Sequence, residues 1–307
     1  MHKKIFIAGH NGMVGSSILR KINNKKFKIL TATRKELDLT NKKKVYIWFK
    51  KNKPDIVINA AGKVGGIISN SKDSINYLNE NLNIGLNIIN AAYKFKVKKL
   101  INIGSSCIYP KYSKQPIIEE YLLTGSLEET NKCYAVAKIT TALLCSEYNK
   151  KFKKDFITVM PCNLYGPNDN YDKSKSHVLA ALMQKIHTAK IKKEKSIIVL
   201  GNGTPLREFL YVDDLATAII LLIKKKIKYS IINVGSGEEI SIINLAKLIS
   251  KILNYKVNFI FDKKKPNGTP RKILNSKKIL SLGWKPQYKL KNGIKESYKY
   301  FINSLKK

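Results

Sequence analysis

Tyr134 and Lys138 stand four residues apart in Tyr134-Ala135-Val136-Ala137-Lys138, and Ser105 closes an earlier apolar run. On a helix that spacing puts phenol and ammonium on one face, with a rise of about 6 Å between them. The ammonium can then depress the phenol's pKa, and the phenol can hand a proton to a carbonyl oxygen as the attached carbon is reduced. A tyrosine and lysine so spaced also occur on ordinary exposed helices. A second constellation makes the reading specific: Gly9-His10-Asn11-Gly12-Met13-Val14-Gly15 follows the first apolar run and opens a helical pattern. Glycines there permit a tight turn and let backbone amides at a helix start approach a pyrophosphate. Glycine loop, strand-end serine and Tyr/Lys pair, in this order, imply hydride chemistry with a dinucleotide whose ribose Lys138 also holds.

The segment Lys28 to Arg34 contains no acid to meet a ribose 2′-hydroxyl and ends in an arginine, so the expected cofactor is NADPH, with Arg34 on the 2′-phosphate. Asp38, in Leu37-Asp38-Leu39, either meets the adenine or caps the next helix. Arginine is rare: of 58 basic residues only Arg20, Arg34, Arg207 and Arg271 are arginine, and the formal charge is +37. In a chain that defaults to lysine, a guanidinium marks sites that need its planar fork, phosphates above all. Arg20, on the first helix, is expected at the surface. The lysines are scattered through every element rather than gathered in a stripe with interleaved aromatics, which argues against a nucleic-acid partner.

Positioning these groups requires a layered α/β frame. Short β-rich runs at Ile5 to Ala8, Lys28 to Thr31, Ile56 to Ala60, Leu100 to Gly104 and Phe156 to Met160 alternate with helical patterns. The helices fall at Val14 to Asn23, Lys42 to Lys51, Leu78 to Phe95 and Tyr134 to Lys151, a doubly wound parallel sheet of Rossmann type. After Pro161 the alternation breaks into a turn-rich loop (Tyr165 to Asn170), a helix (His177 to Lys190), a strand (Ile197 to Leu200) and a turn (Gly201 to Pro205). Tyr211 to Lys224 and Ser230 to Val234 return to the first sheet. A helix (Ile242 to Leu253), a strand (Val257 to Phe261) and a last helix (Leu290 to Leu305) follow. The expected division is residues 1–163 with about 208–234 as the cofactor domain, and 164–207 with 235–307 as a smaller C-terminal α/β substrate lobe.

Longer segments resemble the GDP-L-fucose synthases, an extended short-chain dehydrogenase/reductase family. They are Ala60-Ala61-Gly62-Lys63-Val64-Gly65-Gly66-Ile67, Gly104-Ser105-Ser106-Cys107-Ile108-Tyr109-Pro110, Asn163-Leu164-Tyr165-Gly166-Pro167-Asn168-Asp169-Asn170, Ser176-His177-Val178, Arg207-Glu208-Phe209-Leu210-Tyr211-Val212-Asp213-Asp214, and Lys265 to Lys272. The match runs nearly the whole chain in order. The resemblance implies epimerisation at carbons 3 and 5 of GDP-4-keto-6-deoxy-D-mannose, then reduction at carbon 4 by NADPH. It makes Cys107 and His177 the epimerising acid-base pair and Ser105, Tyr134 and Lys138 the reductase triad. It also implies cofactor contacts from Leu39, Ile103, Gly104, Pro161, Asn163, Leu164 and His177, and GDP contacts from Lys185, Leu200, Arg207, Asn267, Arg271 and Lys272. Asn11, Lys185, Leu200 and Asn267 depart from the family pattern, which has Arg, Arg, Trp and Asp there. A homodimer through Leu78 to Phe95 and Tyr134 to Lys151 is implied as well.

Two other readings are a reductase that does not epimerise fully, against which Cys107 and His177 argue, and a non-catalytic cofactor binder, against which Tyr134 and Lys138 argue. Cys107, Cys133, Cys145 and Cys162 form no CxxC pair and are accompanied by four histidines, so neither a disulfide framework nor a metal site is expected. No apolar run approaches the roughly 18 residues of a membrane span, and the opening is too short for a secretory signal. A cytoplasmic protein is expected.

Overall fold

A computed structural model describes residues 2–22, 26–172, 175–265 and 267–306; Asn23, the expected end of the first helix, and Pro266, within the Lys265 to Lys272 segment, lie outside these. Along the chain run β1 (Lys3–Ala8), α1 (Met13–Lys21), β2 (Phe27–Leu30), α2 (Lys42–Asn52), β3 (Ile56–Asn59), α3 (Ile67–Lys72), α4 (Ser74–Lys94), β4 (Lys99–Ile103), α5 (Lys132–Phe152) and β5 (Phe156–Pro161). Then come β6 (Asn163–Tyr165), α6 (Val178–Lys192), β7 (Ser196–Leu200), β8 (Leu206–Tyr211), α7 (Val212–Lys224), β9 (Ile231–Val234), β10 (Glu239–Ser241), α8 (Ile242–Ile252), β11 (Asn258–Asp262), β12 (Arg271–Lys272), α9 (Lys277–Ser281) and α10 (Leu290–Ser304). The stretch Tyr211 to Lys224 supplies the end of β8 and α7, and α3, β6, β8, β10, β12 and α9 were not expected from the sequence. Five of them have two to six residues and show no clear period; β8, as long as β1, is masked by Arg207 and Glu208 at its start.

Six parallel strands form the central sheet in the order β2-β1-β3-β4-β5-β9. Both faces are covered, so the strands read as continuous apolar runs, and successive side chains enter different cores. Ile5, Ile7, Ile56, Ile58, Ile101 and Ile103 pack with Ile18, Leu215 and Ile219 on one face. Phe6, Ala8, Val57 and Leu100 pack with Val45, Phe49, Ile84 and Ile88 on the other. A third apolar cluster joins α6, α8 and α10 to β7 and β8 through Leu179, Met183, Ile186, Val199, Phe209, Leu245, Ile249, Ile294 and Phe301.

Helix α2 is capped by Asn41, whose side chain accepts from Lys44 N–H at 3.0 Å, not by Asp38. Asp38 instead accepts from the amide and hydroxyl of Thr40. No helix among the described residues is long and apolar enough to cross a membrane.

Candidate active site

The chain leaves β1 for β2 on one side and for β3 on the other, so a crevice opens at the carboxyl ends of β1 and β3. The glycine loop fills it. Gly9 has φ +79°, and a Cβ there would stand 2.7 Å from Ala61 Cα, so the loops after β1 and β3 touch backbone to backbone. A Cβ on Gly15 would stand 2.2 Å from the Gly9 carbonyl oxygen. Gly12 precedes α1 with no side-chain cap, while Met13 and Val14 begin the helix. Amides at that helix start therefore face outward without a side chain across them, an arrangement suited to a phosphate.

Ser105 follows β4 and Gly104, and its Oγ accepts from the Cys107 amide at 3.2 Å, opening a short 3-10 turn at Ser106–Ile108. The turn keeps Ser105 and Cys107 on one side of the strand end, where the Ser105 hydroxyl is within hydrogen-bonding reach of the Tyr134 phenol and the Cys107 thiol. Lys138, one turn further along α5, is buried, and its Nζ donates to the Ile103 carbonyl at 2.8 Å and lies 5.9 Å from the Tyr134 ring centre. Burial brings the Lys138 ammonium down to about 8. The expected depression of the phenol by Lys138 is not what this arrangement gives. Burial, with the Cys107 sulfur beside it, pushes Tyr134 upward. The phenol stays protonated, as a proton donor must.

Cys107 sits among cations. Burial alone would raise its thiol, yet the Lys272 ammonium, the Ser105 hydroxyl and the Arg207 guanidinium together bring it below the usual thiol range. Lys272 Nζ donates to Cys107 Sγ at 3.4 Å. The pairing of β12 with β8 explains this placement. Lys272 registers with Arg207 and Arg271 with Leu206, and adjacent residues on a strand point to opposite faces. Lys272 and Arg207 thus share a face, while Arg271 is turned away and exposed. Its guanidinium makes a bidentate pair with Glu239, at 2.7 Å from Nη2 and 2.9 Å from Nε. Arg271 was expected with Arg207 and Lys272 around the GDP portion; the alternation places it on the opposite face of β12 from them.

His177 precedes α6, with its side chain directed inward near Lys272; desolvation there and the Lys272 ammonium keep its imidazole below the usual range. The β3 loop holds this segment, because Gly66 N–H donates to the Lys175 carbonyl at 3.0 Å and a Cβ on Gly66 would stand 2.7 Å from the Ser176 carbonyl.

Other expected contacts are more dispersed. Arg34 is exposed and 3.5 Å from Glu80, and Asn11 is exposed. Pro161 is buried at the end of β5, Leu164 pairs with Leu210, and the Asn163 side chain donates to the Glu208 carbonyl at 2.8 Å. Leu39 lends its carbonyl to Asn87. Around the proposed nucleotide site, Lys185 Nζ is tied to the Ile198 carbonyl at 2.7 Å, and Leu200 is exposed at the end of β7. Asn267 caps the Asn202 amide and offers its own carbonyl to Arg207 at 3.3 Å. Arg20 is more than a surface residue, since it pairs with Asp213 at 2.9 Å and helps join α1 to α7. A cleft of about 320 Å³ opens beside Tyr134, lined by Asn70, Ser71, Thr130 and Cys133; Cys107 and Lys272 are not in its wall.

Residues 5–235 match the NAD dependent epimerase/dehydratase family. The chain belongs to that family. GDP-L-fucose synthase of Sinorhizobium fredii is 45% identical over 303 residues, 99% of this chain and 96% of the relative. Among solved structures, a GDP-6-OMe-4-keto-L-xylo-heptose reductase from C. jejuni superposes with a TM-score of 0.93 at 34% identity, covering 99% of this chain and 98% of that one. A GDP-L-fucose synthetase from Naegleria fowleri bound to NADP gives 0.88 at 31%, covering 99% and 94%.

Within this epimerase/dehydratase frame the site has supports that sequence reasoning missed. Asn81, inward on α4, accepts from Lys63 N–H at 3.1 Å and donates to the Lys63 carbonyl at 2.9 Å, clamping the loop beside Lys138. Tyr77, one turn earlier, meets the Tyr134 ring edge-on at 6.5 Å and hydrogen-bonds Ser69. Lys63 links Glu80 to Asp73. The available signal was the i, i+4 spacing of Tyr77 and Asn81, which the general abundance of asparagine in this chain conceals.

Proposed function

We propose that the protein epimerises GDP-4-keto-6-deoxy-D-mannose at carbons 3 and 5 and reduces carbon 4 with NADPH, giving GDP-L-fucose. One observation carries the reading beyond a plain reductase: a thiol held 3.4 Å from a buried ammonium stands beside the Ser105, Tyr134 and Lys138 groups. Reduction needs no such thiol. Proton exchange next to a ketone needs a base, which a thiolate can be, because the enolate forms only if a base takes the carbon-bound proton while donors hold the oxygen. Tyr134 and Ser105 are those donors, with Cys107 and His177 exchanging protons. Tyr134 then protonates the carbon 4 oxygen during reduction.

The residues present fit a dinucleotide. The packed Gly9 and Gly15 backbone leaves no room for side chains that would block a pyrophosphate, and α1 opens uncapped. Gly9, Asn11, Gly12, Met13, Val14 and Gly15 would cradle the pyrophosphate, Arg34 the 2′-phosphate, Asp38 and Leu39 the adenine side, and Lys138 the nicotinamide ribose. Ile103, Gly104, Pro161, Asn163 and Leu164 would flank the nicotinamide. Bound there, the cofactor supplies the reducing equivalent. Arg207 and Lys272 face the diphosphate of the sugar nucleotide, with Lys185, Leu200 and Asn267 around the base.

The residues 1–163 and 208–234 form the cofactor domain in this reading, the remainder the substrate lobe, and two chains associate through α4 and α5. The cytoplasm suits NADPH chemistry and the free thiols among the described residues. The test is incubation with GDP-4-keto-6-deoxy-D-mannose and NADPH in deuterated water, with NMR of the product. GDP-L-fucose labelled at carbons 3 and 5 is expected, and Cys107→Ser should lose that label. A product reduced at carbon 4 but unlabelled in the unaltered enzyme would replace this reading with a reductase on an already epimerised or related GDP-keto-sugar.

A further inference from the structure

Lys272 makes one hydrogen bond among the described residues through its ammonium, to Cys107 Sγ, and the side chain is 9% exposed. A buried ammonium is costly unless an anion accompanies it. The groups around that sulfur are Lys272 from β12, Arg207 from β8, the Ser105 hydroxyl from its own turn, the Tyr134 phenol from α5 and, across the cleft, His177 ahead of α6. None of the groups on the sulfur is a carboxylate, Glu128 acting on Arg207 rather than on the sulfur, and the two strands hold both cations on one face by register. Beside the place given to the substrate diphosphate, the sulfur is therefore the group that the Lys272 ammonium itself meets.

From this geometry we propose that Lys272 is a positioning residue for the epimerisation, holding Cys107 as the thiolate that takes the proton from carbon. The inference rests on the reading that Cys107 exchanges protons with substrate. The ammonium that favours a charged sulfur also disfavours a charged His177, so Cys107 is the charged base of the pair. In the step, the carbon–hydrogen bond breaks, the proton forms an S–H bond, and the electron pair moves to the keto oxygen, held by Tyr134 and Ser105. Reprotonation from the opposite face returns the pair to carbon, and no oxidant or reductant is consumed.

The sulfur can be titrated without any sugar. Full-length protein is alkylated with iodoacetamide across a pH series, and the Cys107 peptide is quantified by mass spectrometry. The midpoint should fall below the value of about 8.5 for free cysteine. In Lys272→Met it should rise by about one unit or more, an approximately tenfold loss of thiolate at low pH, whereas Lys272→Arg should keep it low. A midpoint at or above that of free cysteine in the unaltered protein overturns the proposal even if Lys272→Met does not fold. An unchanged midpoint in a folded Lys272→Met does so too. With the deuterium assay, the acid limb of carbon-label exchange should move upward in Lys272→Met, a change in pH profile that loss of GDP affinity alone would not produce. Because the titration uses no GDP-sugar, failure of the protein to make GDP-L-fucose leaves its outcome readable.

Discussion

At the scale of single residues, the reductase centre is defined by a phenol kept protonated and a lysine kept near its titration point. Tyr134 is pushed upward by burial and by the neighbouring sulfur, so removing its hydroxyl removes the proton donor without opening a cavity. Tyr134→Phe should lower the NADPH oxidation rate by about 100-fold or more, the size expected for a lost general acid. NADPH affinity, measured by fluorescence titration, should change little. Near-normal turnover would exclude Tyr134 as donor. Lys138 gives the pH dependence: with burial bringing it to about 8, the ammonium is present below that pH and lost above it. The value of kcat/KM for reduction, which reports the free enzyme, should therefore fall as pH rises past about 8. A profile flat to pH 10 would show that the charge of Lys138 is not needed.

At the scale of elements, the site depends on places where backbones come too close for a side chain. A Cβ on Gly15 would stand 2.2 Å from the Gly9 carbonyl, and that atom is backbone, unable to swing aside. Gly15→Ala should force the loop off the α1 start, costing about 1–3 kcal/mol of stability by overpacking. It should weaken NADPH binding by about tenfold or more, because the loop that faces the pyrophosphate moves. Urea unfolding and a binding titration measure the two effects. Unchanged affinity would mean that the loop does not hold the phosphates.

For the whole molecule, the relevant surface is the outer side of α5. Val136 and Leu143 are 41% and 40% exposed and stand seven residues apart, a stripe roughly a quarter turn round the helix from the buried Ala135, Lys138, Ile139 and Ala142. An apolar stripe on a helix against the sheet is where a second copy can bury it. Sedimentation should give a mass near twice that of one chain, and Leu143→Glu should shift the equilibrium to monomer at micromolar concentration while the fold persists. A monomeric unaltered protein would remove α5 as an interface.

Much of this was legible without a structure, because it is written in local spacing. Continuous β-rich apolar runs and period-3.6 patterns located the long strands and helices, and the Gly9 to Gly15 spacing implied a turn that only close backbones require. The i, i+4 relation of Tyr134 and Lys138 is a property of any helix. The tertiary structure decided relations between segments distant in sequence. Which of the neighbours Arg271 and Lys272 reaches Cys107 depends on how two-residue β12 registers with β8, and so short a strand carries no pattern of its own. The protonation of Tyr134 and Cys107 likewise came from burial and from charges brought there by β8, β12 and α5. Periodicity can say that a residue is on a strand or a helix; only the packed fold sets the dielectric and the charges around it.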